Sequence, residues 1–279
     1  MITKGGSDMA NNNIAITESV TIKIPELKVP RVFLQISDAH IAYAYEDDTN
    51  KEKELAAYRS KEWNQADIAP IDAFDSFIRL ANEKKPDAVL FAGDMIDYYS
   101  ESNVRFLGEC LARLEVDHVY VWGNHENGTY GLAIPDMNIM KAGIAPLMGG
   151  NTEFLVKDYG EFLLVALNNG NFDVSDECKR GFERAVADGR PIILLMHVPV
   201  GTDEFARVAW STLDDDERST QRACEFAQFL KSPDSHVVAI LAGHEHFAWS
   251  GEFAFGRMQY VSAPCFKRFV REIRVEPLE

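Results

Sequence analysis

Between Val32 and Val275 short apolar runs alternate with helical periods, and that rhythm admits few folds. Val32–Ile36 is rich in β-formers. Ile71, Phe74, Ile78 and Ala81 recur on one helical face behind Pro70, a favoured first-turn residue, and Ala88–Ala92 follows as a buried strand. The unit repeats at once: Val104, Leu107, Leu111 and Leu114 form a second helical stripe, and Val119–Trp122 forms a further strand. Strands joined through helices pair in parallel by β-α-β crossovers, so the first half reads as a parallel sheet. In the second half Glu153–Lys157 and Phe162–Leu167 flank an Asp158-Tyr159-Gly160 turn as a hairpin. A helix over Asp176–Ala187, closed by Gly189 and Pro191, comes next. Ile192–Met196, a helix near Arg218–Leu230, Val237–Leu241 and terminal strands around Phe253, Met258–Val261 and Phe269–Val275 are read as completing a mixed second sheet. The expectation is an α/β layered protein.

No repeat or low-complexity linker divides this rhythm, so one domain over 31–279 is expected behind an N-terminal extension, 1–30, loose at its Gly- and Asn-rich start, Met1–Asn13. That start lacks the apolar run of a secretory signal. The greasiest segment, Ile192–Met196, is bounded by Pro191 and His197 and is far too short to span a bilayer, so neither membrane nor export is expected. Cys110, Cys178, Cys224 and Cys265 are scattered without a C-x-x-C pair, which fits a reducing, cytoplasmic setting better than a disulfide framework or thiolate zinc site. With 28 Lys plus Arg against 44 Asp plus Glu, the net charge of -16 repels a polyanion, and nucleic acid is an unlikely partner.

Unusual residues collect where the strands end. Phe33-Leu34-Gln35-Ile36 runs into Ser37-Asp38-Ala39-His40, Val89-Leu90-Phe91-Ala92 into Gly93-Asp94-Met95-Ile96-Asp97, and Val119-Tyr120-Val121-Trp122 into Gly123-Asn124-His125-Glu126. Ile193–Met196 runs into His197, and Ala239–Ala242 into Gly243-His244-Glu245-His246. Ligand sites of open α/β sheets lie at the carboxyl ends of strands, so five such ends can converge on one crevice. Five of the seven histidines fall there, leaving His118 and His236, each before a strand, to structural roles. An isolated Asp or Asn at a strand end more often caps a turn or helix than binds a metal, but the ordered set overturns that reading. Imidazoles, carboxylates and one amide without thiolate suit borderline cations such as Mn, Fe, Zn, Co or Ni, and the cluster exceeds the needs of one ion.

The motifs D-x-H, G-D-x-x-D, G-N-H-[DE], H and G-H-x-H stand here in that order, and over about Arg31–His246 the chain resembles the calcineurin-like metallophosphoesterase superfamily. The resemblance implies a four-layer αββα sandwich, two mixed β-sheets face to face with flanking helices. It implies Asp38, His40 and His246 at a first metal, Asn124, His197 and His244 at a second, and Asp94 as the bridging carboxylate. It likewise implies a catalytic His125, oriented by Asp97, acting on the leaving oxygen. Two cations roughly 3.5 to 4 Å apart lower the pKa of a shared water and clamp phosphoryl oxygens. The implied activity is therefore a dinuclear metal-dependent phosphohydrolase, cleaving a small phosphodiester or phosphomonoester by metal-activated hydroxide.

Asp97 is followed by Tyr98-Tyr99-Ser100 in place of the Arg-Gly of the phosphoprotein phosphatase branch, which disfavours protein phosphatase activity. The alternatives are a nuclease of the same superfamily, a non-catalytic interaction module on the same fold, and a mononuclear redox metalloprotein, against which the surplus ligands argue. Specificity falls to the segments Ile41–Ala69, Asn127–Gly150, Asn168–Val174 and Val198–Asp216, which should rim the site. Tyr43, Tyr45, Tyr98, Tyr99, Tyr130 and Phe205 offer stacking faces there, or pack on one another. Glu126 and Glu245 are expected at the surface or supporting the ligands, Asp214–Arg218 as a solvated helix start, and Lys267, Arg268 and Arg271 on a solvated strand face or against a substrate phosphate. Natural substrate, metal pair and oligomeric state stay open.

Overall fold

Strand β2 (Arg31–Ile36) lies at the centre of a five-stranded sheet ordered β1-β11-β2-β3-β4, with β1 at Glu18–Ile24, β3 at Ala88–Phe91, β4 at His118–Tyr120 and β11 at Arg271–Pro277. The computed structural model describes residues 14–133 and 135–278, and the Met1–Asn13 start lies outside them. A six-stranded sheet runs β5-β6-β7-β8-β10-β9, built from Phe154–Asp158, Leu163–Leu167, Ile192–Leu195, Val237–Ala242, Arg257–Val261 and Trp249–Ala254 for β5, β6, β7, β8, β10 and β9. Both sheets are mixed: β2, β3 and β4 pair in parallel, as do β6, β7 and β8, while β11 runs antiparallel to β2 and β5 to β6.

Six α-helices, α1 (Asn50–Glu62), α2 (Pro70–Lys84), α3 (Glu101–Leu111), α4 (Met137–Ile144), α5 (Asp176–Ala187) and α6 (Gln221–Lys231), and five short 3-10 helices complete the described elements. Their ends follow local chemistry. The Ser175 hydroxyl accepts from the Cys178 N–H to start α5. Helix α6 begins at Gln221, three residues later than the sequence reading, because Thr220 caps it while Asp216 holds the Arg218 backbone and guanidinium in the preceding turn.

Three apolar layers hold the sandwich together. Phe33, Leu90, Val119, Leu164, Ile193, Leu195 and Leu241 fill the space between the sheets. Phe74, Phe77, Ile78, Phe91, Leu107 and Ile144 pack α2, α3 and α4 on the outer face of the first sheet. Phe182, Ala185, Leu194, Ala227 and Leu230 do the same for α5 and α6 on the second. Two mixed sheets with helices outside form the four-layer α/β fold.

Two assignments change. The terminal strand at Phe269–Val275, read as part of the second sheet, is β11 of the first. β11 cannot lie beside the strand it follows, because β8 and β9 already occupy both sides of β10, and the chain crosses to the open side of β2. Within the stretch expected as an extension, β1 pairs in parallel with β11 over Glu18–Ile24 and buries Ile22 and Ile24. A chain beginning at Arg31 loses Ile22, Ile24 and Leu27 from the inter-sheet core, at about 1.5 to 3 kcal/mol for each buried side chain. Such a chain is expected to unfold at a clearly lower urea midpoint than the full chain; an equal midpoint would mean that β1 contributes nothing.

Candidate metal centre

Five neighbouring strand ends, β2, β3 and β4 from one sheet and β7 and β8 from the other, open on the same side of the sandwich. The turns that follow are tied to one another. Asp38 and His40 donate their N–H groups to the carbonyls of Gly93 and Asp94, and Gly243 donates to His197. Five side-chain bearers, Asp38, His40, Asp94, His244 and His246, sit in the left-handed region, with φ of 51°, 46°, 55°, 75° and 54°. Each such conformation costs about 1 to 3 kcal/mol and survives only where the surroundings impose it. Glycine is required next to them. A Cβ on Gly123 would enter the Asp94 carboxylate and backbone, and one on Gly93, at φ +87°, would enter the His197 ring.

All nine residues expected at the site meet there. His40 Nε2 lies 3.0 Å from His246 Nε2, which is 3.5 Å from an Asp38 oxygen. His197 Nε2 lies 3.2 Å from Asp94 Oδ2, 3.1 Å from Asn124 Oδ1 and 3.3 Å from His244 Nδ1, while Asn124 Oδ1 is 3.0 Å from that same Nδ1. Ligand atoms of Asp38, His40 and His246 fall within 4.8 Å of one another, as do those of Asp94, His197 and His244.

Proton positions show what the centre is shaped for. His40 Nδ1 faces the Asp97 carboxylate at 3.0 Å, and His197 Nδ1 faces the Ala92 carbonyl at 2.7 Å. Each outer nitrogen therefore donates, and each Nε2 points inward. His244 reverses the use of its ring, with Nε2 at 2.8 Å from Ser211 Oγ and Nδ1 inward. The inward nitrogens of three imidazoles, an amide oxygen and the Asp38 and Asp94 carboxylates thus converge where little solvent reaches. Burial, with the charge of a neighbouring imidazole, pushes His40 down to about 4 and His244 down to about 3, so both rings are neutral. Burial also opposes charge on His197 and His125, but Asp94 outweighs it and pushes them up to about 10 and about 9, His125 with the help of Asp97. The donor set fits two borderline cations.

Around this centre Glu126 and Glu245 take the supporting place that was one of the two expected for them, whereas Arg271 departs from the solvated face expected for it. Glu126 is fully buried and accepts from the N–H groups of Asp94, Met95 and Gly123 and from the Tyr120 hydroxyl, at 3.1, 2.8, 2.8 and 2.6 Å, tying the ends of β3 and β4 together. Glu245, also buried, accepts from the N–H groups of Trp210 and Ser211 at 2.6 and 3.0 Å. Arg271 lies inside the first sheet on Glu18, Gln35 and the Val261 carbonyl, not on a solvated face. Of the six aromatics proposed for stacking, Tyr130 reaches His125, its hydroxyl 3.3 Å from Nδ1. Tyr43 instead stacks on Phe106, and Phe205 packs on Trp249. Over the centre opens a cleft of about 550 Å³ whose rim includes Trp63, Gln65, Trp210, Arg218 and Lys267. Trp210 is 69% exposed although its backbone is fixed by Glu245.

Asp97 holds several of these groups at once. Its Oδ1 receives His40 Nδ1 at 3.0 Å, Trp63 Nε1 at 2.7 Å and an Arg59 nitrogen at 3.0 Å, while Arg59 Nε reaches Oδ2 at 2.5 Å. His125 Nδ1 stands 3.2 Å from that carboxylate and 2.8 Å from the Asp97 carbonyl. Burial alone would raise Asp97, but the bonds from Arg59, His125 and His40 hold it far below the usual carboxylate range. No sequence signal marked Arg59 or Trp63.

The family model described as calcineurin-like phosphoesterase matches residues 31–248. No curated protein sequence matches the chain. Among solved structures, a dimetal phosphatase from Danio rerio is 15% identical over 85% of this chain and 88% of that one, with a TM-score of 0.53, a likeness in fold. A phosphopantetheinyl hydrolase from Mycobacterium tuberculosis is 12% identical over 85% and 90%, with a TM-score of 0.48.

Gly123→Ala is expected to force the Asp94 carboxylate out of the centre, lowering stability by about 1 to 3 kcal/mol in denaturant unfolding and weakening cation binding in a calorimetric titration. Unchanged stability and binding would show that the close approach of the two turns is not required.

Proposed function

Since the chain belongs to the calcineurin-like phosphoesterase family, we propose that it is a dinuclear metal-dependent phosphohydrolase acting on a small phosphodiester or phosphomonoester. Asp38, His40 and His246 hold one cation, Asn124, His197 and His244 hold the other, and the Asp94 carboxylate serves both. The observation that carries this reading is the inward convergence of ligand atoms from two donor groups, with the rings of His40, His197 and His244 each fixed by a partner on the outer nitrogen. When bound, a cation pair supplies an acidified water as nucleophile and positive charge for the phosphoryl oxygens.

His125 holds the proton for the leaving oxygen. Its Nδ1 donates to the Asp97 carbonyl, and among the described residues Nε2 takes no hydrogen-bond partner, so that nitrogen is free for the substrate. Asp97 keeps the ring in place and opposes loss of its charge. The cleft of about 550 Å³ is several times larger than one phosphate group needs, which supports an ester with a sizeable substituent. Its rim carries an exposed indole at Trp210 and the cations Arg218 and Lys267, in a chain of net charge -16. A flat organic group stacking on Trp210 is the substituent that rim accommodates best. Among the described residues no helix is long and apolar enough to cross a membrane. All four cysteines are free, which supports a reducing cytoplasmic setting.

Manganese-loaded protein is expected to hydrolyse an aryl phosphodiester or an aryl phosphomonoester and to lose that activity in EDTA. Loaded protein that cleaves neither would end the hydrolase reading in favour of a binding module. Asp94→Asn should strip cations from both positions as measured by elemental analysis, whereas His125→Asn should keep them and slow turnover about 100- to 10,000-fold. Equal metal loss in both variants would reject the separate roles. Trp210→Ala should raise KM for aryl esters about five- to tenfold while leaving glycerol esters unaffected, and an equal effect on both classes would remove Trp210 from substrate recognition.

A further inference from the structure

The insertion between β2 and α2 carries α1, which buries less of itself than any other α-helix among the described residues. Of its 13 residues only Ala56 is buried, so no apolar seam fastens it to the body. It is locally well formed: the Thr49 hydroxyl and the Glu52 carboxylate make a capping box, with Arg59 and Lys61 in the last turn. What attaches its C-terminal end is the site itself. Arg59 grips both oxygens of Asp97 at 2.5 and 3.0 Å, and its guanidinium lies 4.1 Å over the Tyr130 ring. Just beyond the helix, Trp63 donates to Asp97 at 2.7 Å and stacks on His40, with centroids 4.1 Å apart and planes 20° from parallel. Trp63 also packs on Phe266, 5.0 Å away.

Resting on the phosphohydrolase reading, we propose that Arg59 and Trp63 are positioning residues and that α1 is a clamp completing the active site through Asp97. The physical need is plain. Asp97 is fully buried and serves two imidazoles, His40 and His125, that have different tasks. A buried carboxylate needs lasting positive charge beside it, and His125 gives up its proton to the leaving oxygen in each turnover. The Arg59 guanidinium supplies a permanent, bidentate counter-charge that fixes the plane of the carboxylate. With that plane fixed, Oδ1 sets the rotation of both rings. The Trp63 indole closes the remaining face of His40, so the ring turns neither about its Asp97 bond nor toward solvent. The attachment is reciprocal: without an ionised Asp97, α1 loses its main anchor.

Two readouts test the clamp. Hydrogen exchange over residues 50–62 in the metal-free protein is expected to quicken about tenfold or more in Asp97→Asn and in Arg59→Ala, while exchange in α5 stays unchanged. In the manganese-loaded full chain, Arg59→Ala is expected to lower kcat on an aryl phosphodiester about 10- to 100-fold with KM within about threefold. Added guanidinium should restore part of that kcat. Arg59→Lys, which keeps the charge without the fork, and Trp63→Phe, which keeps the stack without the N–H, should each retain intermediate kcat, and they decide the matter should Arg59→Ala fail to fold. Unaltered exchange in α1, or kcat within twofold of the unmodified protein in all three kinetic variants, overturns the proposal. Full-chain protein that cleaves no ester, yet shows quickened α1 exchange in Asp97→Asn, refutes the hydrolase reading and supports the clamp as an attachment of α1.

Discussion

The structure depends on an electrostatic constraint: Asp38, Asp94 and Asp97 are buried beside the rings of His40 and His197 at one end of the sandwich. Carboxylates out of water require positive charge nearby. Asp97 receives it from Arg59, a fixed cation. Asp38 and Asp94 have no arginine or lysine in an ion pair among the described residues; histidines face them instead. The difference separates the two kinds of carboxylate in the site. One is permanently neutralised and serves geometry, while the other two face a region that mobile cations or protons must fill.

Local backbone geometry makes this arrangement possible and expensive. Strand ends alone would send these side chains up and away along the sheet. Left-handed turns at Asp38, His40, Asp94, His244 and His246 bend them inward, and the missing Cβ atoms of Gly93 and Gly123 let the turns touch. The strain is carried by the layers beneath, where Phe33, Leu90, Ile193 and Leu241 lock the two sheets face to face. Glu126 and Glu245 add rigidity from below and from the side, one joining the ends of β3 and β4, the other fixing the loop that presents Trp210.

Much of this was legible in the residues themselves. The helix over Asp176–Ala187 has the same limits in sequence and structure, because Ser175 caps it and Gly189 and Pro191 end it. The five polar clusters were recognisable because each follows a short apolar run, and parallel pairing then sends their ends to one side. Partner choice is harder to read: β11 cannot lie beside β10, both of whose sides are taken, and that is a fact about space rather than about Arg271–Pro277. The alternation of Val20, Ile22 and Ile24 is a period-two strand signal for β1. Arg59 and Trp63 carried no signal, since a charged residue on a polar helix resembles any solvated surface until the fold sets Asp97 beneath it.

In the proposed function, substrate recognition and chemistry come from different parts of the chain. The sheets supply the donors, whereas the insertions supply the clamp and the exposed indole. The central claim, that seven inward-facing donors hold two cations side by side, is tested most directly by electron paramagnetic resonance of the manganese-loaded protein. Two ions sharing the Asp94 carboxylate should give the exchange-coupled spectrum of a manganese pair, with two manganese per chain. The six-line signal of isolated ions at saturating manganese, with one or none bound per chain, would contradict it.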